Sequence, residues 1–247
     1  MLHAKPQAIS QEIESQRSRR LSTDSIQTGP TQLGLSLAPA AHASLHGIRG
    51  SSKRAFDVAG ATLGLLVLSP LLLAIALLVK LDSPGPIFFR QRRVGLNGRE
   101  FWMYKFRSMV VDAEAQLESL KSKNEVEGGV TFKIINDPRM TRVGRVLRKT
   151  SLDEFPQLFN VLRGEMSLVG PRPPLPKEVV LYSTEQKRRL TVTPGCTGLW
   201  QVSGRSKTTF NRMIELDIDY IENWSLRRDL LITLKTFRVI LKMEGSY

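Results

Sequence analysis

The stretch VAGATLGLLVLSPLLLAIALLV, Val58 to Val79, carries no charge. It is as long as a bilayer-crossing helix, which needs about 20 apolar residues. No other feature constrains the fold as strongly, because such a segment must end in lipid or in a large protein core. Two details argue against simple crossing. Ser69-Pro70 sits at its centre, where proline removes a backbone donor and clashes with the preceding turn, so a break is expected. Serine can hydrogen-bond a carbonyl freed by that break. The flanks are basic on both sides: Lys53 and Arg54 before, and Lys80, Arg90, Arg92 and Arg93 after. Cytoplasmic segments carry the excess of Lys and Arg, so both ends ask for the same side of the membrane. A helix that enters, breaks at Ser69-Pro70 and returns satisfies both flanks. Each half, about 11 residues and ~16 Å, reaches roughly midway into a hydrocarbon core of about 30 Å. The sequence weighs re-entry and crossing about equally.

The remainder reads as a helix-rich α+β domain. Residues 1–50 are rich in Ser, Gln, Gly, Pro and Ala and are expected to be a disordered tail, with one short helix around Ile9 to Leu21. They lack the apolar core of a signal peptide. PIFFRQRRVGLNGREFWMYKFRSM, Pro86 to Met109, predicts a β-hairpin turning at Asn97-Gly98. Asp112 to Lys123 predicts a surface helix ending near Gly128-Gly129. FPQLFNVLRG predicts a short helix closed by Gly164. Val192 to Arg205 is turn-rich, and TFNRMIELDIDYIENW predicts a helix. In the last predicted helix, Ser225 to Met243, Leu226, Leu230, Leu234, Phe237 and Leu241 recur at helical spacing among Arg227, Arg228, Lys235, Arg238 and Lys242. That helix either lies in a membrane interface or packs on the core.

The net charge of +13 calls for anionic partners: nucleic acid, phosphorylated substrates or a lipid surface. No nucleic-acid fold signature accompanies it. The single cysteine, Cys196, excludes an internal disulfide. All three histidines, His3, His42 and His46, lie in the tail, so no Cys/His metal cluster is expected.

Two adjacent acids, Asp153 and Glu154, stand out in the basic segment LRKTSLDEFPQLFNVLRGEMSLVGPRP. One reading is a capping box, with Ser151 capping a helix and Glu154 reaching back. That leaves Arg148, Lys149 and Arg172 around the same turn unexplained. The other reading is a phosphate site. Arginines bind phosphate in a bidentate fashion, and a carboxylate among cations stays ionised to attack phosphorus or hold Mg²⁺. A non-catalytic membrane scaffold is the rival that would tolerate loss of Asp153.

The motifs KRAFD, the central Ser69-Pro70, PGPIFFRQRRVG, YKFRSM, NDPR, TSLDE, PQLFNVLRGEMSLVGPRP, PGCTGLWQVSGR and ELDIDYIENWSLRRDL, in that order, resemble the bacterial sugar transferases. These are monotopic polyprenyl-phosphate sugar-1-phosphate transferases, or phosphoglycosyl transferases. The likeness runs from about Lys53 to the C-terminus. It implies a re-entrant membrane anchor over residues 51–82. A small catalytic domain over 83–247, carrying the hairpin and interfacial amphipathic helices, would follow on the cytoplasmic face of the bacterial inner membrane, among its phospholipids. It also implies transfer of hexose-1-phosphate from a UDP-sugar, glucose or galactose, to undecaprenyl phosphate. UMP would be released and an exopolysaccharide, capsule or O-antigen unit begun.

Carried over residue by residue, the resemblance makes Asp153 the nucleophile that takes up the phosphosugar. Glu154 becomes its partner for Mg²⁺ or for the lipid phosphate, and Asp153 and Glu154 together the metal site. Arg148, Lys105 and the Pro171-Arg172-Pro173 motif would face the substrates, with Gln201 and Arg205 bordering them. Phe155 stands where the family more often has Leu, which leaves the dyad intact. Larger members carry an extra membrane module, so this chain resembles a short form. Oligomeric state stays open, with a homodimer as the alternative to a monomer.

Overall fold

In a computed structural model, residues 48–116, 137–204 and 208–242 are described. Residues 1–47 of the expected tail, with the short helix expected there, most of Asp112–Lys123 and Arg205 lie outside them, while residues 48–50, expected to be disordered, are helical. Residues 112–116 form turns, with the Gln116 amide on the Asp112 carbonyl at 3.1 Å.

The apolar run belongs to one long helix, α1 (Ile48–Asp82), with Pro70 inside it. The expected interruption of the helix is absent, and the reason is local. Pro70 cannot donate to the Leu66 carbonyl four residues back, but the Ser69 hydroxyl does, at 2.8 Å. The freed acceptor is satisfied without unwinding the turn. One stripe of α1 faces the rest of the chain: Asp57, Ala61, Ile75 and Val79 are buried. Leu63, Leu66, Val67, Leu73, Leu77 and Leu81 are more than half exposed on the other faces. An apolar helix covered by protein along one stripe only has its remaining surface available to lipid.

The hairpin forms as expected: β1 (Phe88–Val94) pairs antiparallel with β2 (Glu100–Phe106), with Val94 opposite Glu100. The turn is longer than two residues. Gly95 to Arg99 make a 3₁₀ loop in which Asn97 and Gly98 take the left-handed conformation, at φ 55° and 78°. Asn and Gly are the residues that reach this region at least cost.

Then come α2 (Arg142–Thr150), a 3₁₀ turn at Leu152–Glu154, and α3 (Gln157–Arg163), closed by left-handed Gly164. A second sheet, missed in the sequence, joins β3 (Ser167–Val169) in parallel to β4 (Gly195–Thr197). Between them lie the short helices α4 (Pro176–Val179) and α5 (Thr184–Lys187). Two longer helices, α6 (Phe210–Glu222) and α7 (Leu226–Lys242), end the described chain.

The largest core cluster gathers Val169, Val192, Ile214, Ile218, Tyr220, Ile221 and Ile232 from β3, α6, α7 and the segment before β4. Smaller clusters dock α1 at two levels. Ala61 joins Met103, Val161 and Met166, and eighteen residues on, Val79 joins Ile75, Phe106 and Leu147. Near Gly60 the approach is so close that a Cβ would stand 2.5 Å from Leu168 Cδ1.

The stripe Leu226, Leu230, Leu234, Phe237 does not pack on this core. Each is more than a third exposed, while α7 turns Asp229 and Ile232 inward.

Candidate active site

Many of the motif residues brace the domain. Lys53 donates to Ser167 Oγ at 2.6 Å, to the Val169 carbonyl at 3.0 Å and to Asp229 Oδ2 at 2.8 Å. Asp229 also accepts from Tyr220 and Trp224, at 2.7 and 3.0 Å. Arg54 covers the last carbonyls of α3, those of Val161 and Leu162. Arg107 does the same beyond α1, donating to the carbonyls of Ser83 and Pro84. Asp137 and Arg139 of NDPR form a bidentate pair that also grips the Ala113 carbonyl. These groups fix α1 against α3 and the second sheet, and a separate cleft, with no residue of α1 in its lining, opens between the two sheets.

Lys105, Glu154, Arg172, Pro173 and Gln201 line that cleft, with Arg93, Met103, Gln157, Gly195 and Cys196. Five residues singled out in the sequence therefore meet from β2, the 3₁₀ turn, the β3–α4 loop and the segment after β4. Pro171 is buried beneath the Arg172 loop. Ser69 and Pro70 sit apart, exposed on α1.

The acidic pair occupies the 3₁₀ turn between α2 and α3. The expected capping box does not form. Ser151 instead ends α2 in the left-handed conformation, at φ 58°, and its side chain makes no cap to the following turn. The Glu154 amide bonds the Ser151 carbonyl, at 3.3 Å. A residue serving as a left-handed C-cap lacks the extended backbone that an N-cap needs, so the geometry of one role excludes the other.

The two carboxylates have different settings. Glu154 is held by Lys105, with Nζ 2.6 Å from Oε1. Asp153 is only 7 % exposed. Its pKa is pushed up to about 6, because burial outweighs the lowering by Lys105 and Arg148, and Glu154 adds to the rise. The expectation that neighbouring cations dominate is thereby corrected: burial is the larger effect. Near neutral pH Asp153 is still mostly ionised, yet poorly solvated, which suits a nucleophile. Arg148, at the end of α2, acts on it electrostatically. Cys196 also lines the cleft, but burial raises its thiol pKa well above the usual value, so it stays protonated.

Sequence reading missed Arg93, Gln157 and Met103. By sequence Arg93 belongs only to the basic flank of the apolar run. The single available signal was strand alternation, which turns Arg93 to the opposite face from Arg90 and Arg92. Arg93 is 6 % exposed, whereas those two lie outside over Trp102.

A family model described as "Bacterial sugar transferase" matches residues 48–243. Galactosyl transferase CpsE of Streptococcus agalactiae is 47% identical over 196 residues, covering 79% of this chain and 43% of its own length. Exopolysaccharide production protein ExoY of Rhizobium meliloti is 46% identical over 203 residues, 81% of this chain and 90% of its own length. Undecaprenyl-phosphate galactose phosphotransferase of Salmonella typhimurium is 44% identical over 198 residues, 79% of this chain and 41% of its own length. The chain thus spans less than half of two of these relatives and nine-tenths of the third. A likeness of this extent, over the described domain and its long apolar helix, places the chain in the bacterial sugar transferase family.

Proposed function

We propose that this protein transfers hexose-1-phosphate from a UDP-sugar, glucose or galactose, to undecaprenyl phosphate at a membrane surface, releasing UMP. The observation that carries the reading is a buried, incompletely neutralised Asp153 next in the 3₁₀ turn to the Lys105-bound Glu154, which lines a cleft together with Lys105 and Arg172. Anionic substrates need such cations, and phosphoryl transfer needs a nucleophile among them. The relatives named for galactose transfer and for an undecaprenyl-phosphate carrier support the substrate classes.

In this reading an Asp153 carboxylate oxygen attacks the phosphorus that bears the sugar. The phosphoanhydride bond breaks and its electron pair leaves with UMP, so the phosphosugar is esterified to Asp153. An oxygen of the lipid phosphate then attacks the same phosphorus. The bond to Asp153 breaks, its carboxylate is restored and a diphosphate-linked lipid departs. Arg148 and Arg172 offset the charge that gathers as two anions meet. Glu154, oriented by Lys105, receives the proton if the lipid phosphate arrives as a monoanion.

Among the described residues no group of three His, Cys, Asp or Glu converges. Two adjacent carboxylates nevertheless suit Mg²⁺, which is commonly held by one or two carboxylates plus substrate phosphates. Asp153 and Glu154 would hold it, and it would neutralise the diphosphate and the leaving UMP.

The membrane setting is re-entrant in this proposal: α1 stays helical but bends at Pro70, so that both of its ends return to one face. Both levels of α1 dock on the same domain. Because β2 follows α1 from Met103 at one level to Phe106 at the other, a crossing helix would carry the Lys105–Glu154 pair into hydrocarbon, where a charge costs about 2.5–3.5 kcal/mol even by the lower estimates. The exposed leucines of α1 and the outward stripe of α7 then meet lipid from one side, the cytoplasmic face. UMP release from a panel of UDP-sugars with undecaprenyl phosphate tests the reaction. Release that depends on the lipid, from UDP-galactose or UDP-glucose, is expected; none from any donor overturns it.

A further inference from the structure

Pro171 to Pro174, the run that carries Arg172, has an unusual hydrogen-bonding problem. Three of its four residues are prolines, so it offers one amide and four carbonyls. Each carbonyl is taken by a different outside donor. The Gly195 amide of β4 bonds Pro171 O at 2.9 Å, and the Val94 amide of β1 bonds Pro174 O at 2.9 Å. Between them, Arg189 Nη2 bonds Arg172 O at 3.2 Å and Arg93 Nη1 bonds Pro173 O at 3.0 Å. Two buried guanidiniums therefore grip consecutive carbonyls, those of the Arg172–Pro173 and Pro173–Pro174 peptide groups.

Both are themselves fixed. Arg189, 3 % exposed, is paired with Asp217 Oδ2 at 2.7 Å and bonded to Tyr182 Oη at 3.0 Å. Arg93 donates its other terminal nitrogen to Gln91 Oε1 at 2.6 Å, and its Nε finds no partner among the described residues. Burying a cation beside another cation is costly. Burial, and then the nearby Arg172, pull Arg93 down to about 10, still charged at neutral pH. A hydrophobic residue would fill that space without the electrostatic cost. What it could not do is hold a proline-rich loop by its carbonyl.

We infer that Arg93 and Arg189 are positioning residues for Arg172, clamping its backbone so that an otherwise exposed guanidinium meets the nucleotide sugar already in place. The inference rests on the proposed role of Arg172 at that substrate. Pre-organisation of this kind lowers the ordering cost of each contact.

The test is a double-mutant cycle in the full chain, with UMP release as the assay. Arg93→Gln is expected to lower kcat/KM for the nucleotide sugar at least tenfold, leaving KM for the lipid acceptor within about twofold. Arg93→Lys, which keeps one donor and the charge, recovers part of the loss. In an Arg172→Ala background, Arg93→Gln costs less than about threefold, because the group it positions has gone. Multiplicative losses would show that Arg93 serves the fold alone, and wild-type kinetics in Arg93→Gln would remove it altogether. Hydrogen exchange at the Gly195 amide supplies a readout independent of turnover. Arg93→Gln should accelerate it, and unchanged exchange overturns the clamp. If wild-type enzyme turns over no donor, the proposed reaction falls while the exchange result still decides the clamp.

Discussion

Replacing Asp153 by Asn is expected to stabilise the fold while abolishing turnover, and the size of the gain follows from the burial of the carboxylate. Its pKa stands near 6 in the folded chain against 3.8 for the free group. A raised carboxylate pKa favours folding fully below the unfolded value, and that contribution is lost as pH rises through the folded value. At pH 8 the ionised Asp153 therefore costs about two pKa units, roughly 3 kcal/mol, and at pH 4.5 only about 1 kcal/mol. Asn is nearly isosteric and carries no charge to bury, so it removes this pH-dependent cost. A domain of this size shifts by about 2–4 °C per kcal/mol. Thermal unfolding of the detergent-solubilised protein should show Asp153→Asn melting ~6–12 °C above wild type at pH 8. The gap should shrink to a few degrees at pH 4.5. A variant less stable than wild type at pH 8, or a gain independent of pH, would refute the burial argument.

Further expectations follow from the same geometry. Because Asp153 must be ionised to attack, activity should rise with pH through about 6. Lys105→Met, which removes the main cation opposing burial, should move that limb up by about one unit; an unmoved limb would separate Lys105 from Asp153. Arg148→Ala and Arg172→Ala should each lose about 1.5–3 kcal/mol of phosphate interaction, one to two decades in kcat/KM, without loss of thermal stability. Normal kinetics in either variant takes that arginine out of the site. Cysteines introduced at Ser51 and Ser83 should both be labelled from the cytoplasmic side only; labelling of one from the periplasm would establish a crossing helix.

The parts of the fold legible in sequence were those set by short-range rules. The hairpin followed from aromatic strands around Asn97-Gly98, and α3 from a periodic segment closed by Gly164. Helices α6 and α7 followed from apolar spacing, although the spacing alone did not reveal that the leucine stripe of α7 faces outward. What escaped depends on partners remote in the chain. β3 and β4 are three residues each, too short to show alternation, and exist because Ser167 and Gly195 meet across two intervening helices. The Ser151 pattern suited a capping box until the left-handed turn ending α2 took the same residue. The break at Pro70 was expected from its lost amide, and the Ser69 hydroxyl keeps the helix continuous there. At the site, charge and adjacency pointed to Asp153, Glu154 and Arg172. The burial that raises Asp153 and hides Arg93 arises only once β2, the 3₁₀ turn and the proline loop close on each other.

The most direct test of the central claim is to give wild-type protein a UDP-sugar with no lipid acceptor and digest it at once. A mass increment equal to one hexose phosphate is expected on the peptide containing Asp153. It should be absent in Asp153→Asn and discharged when undecaprenyl phosphate is added. An adduct on another residue, or full turnover by Asp153→Asn, would contradict a nucleophilic Asp153.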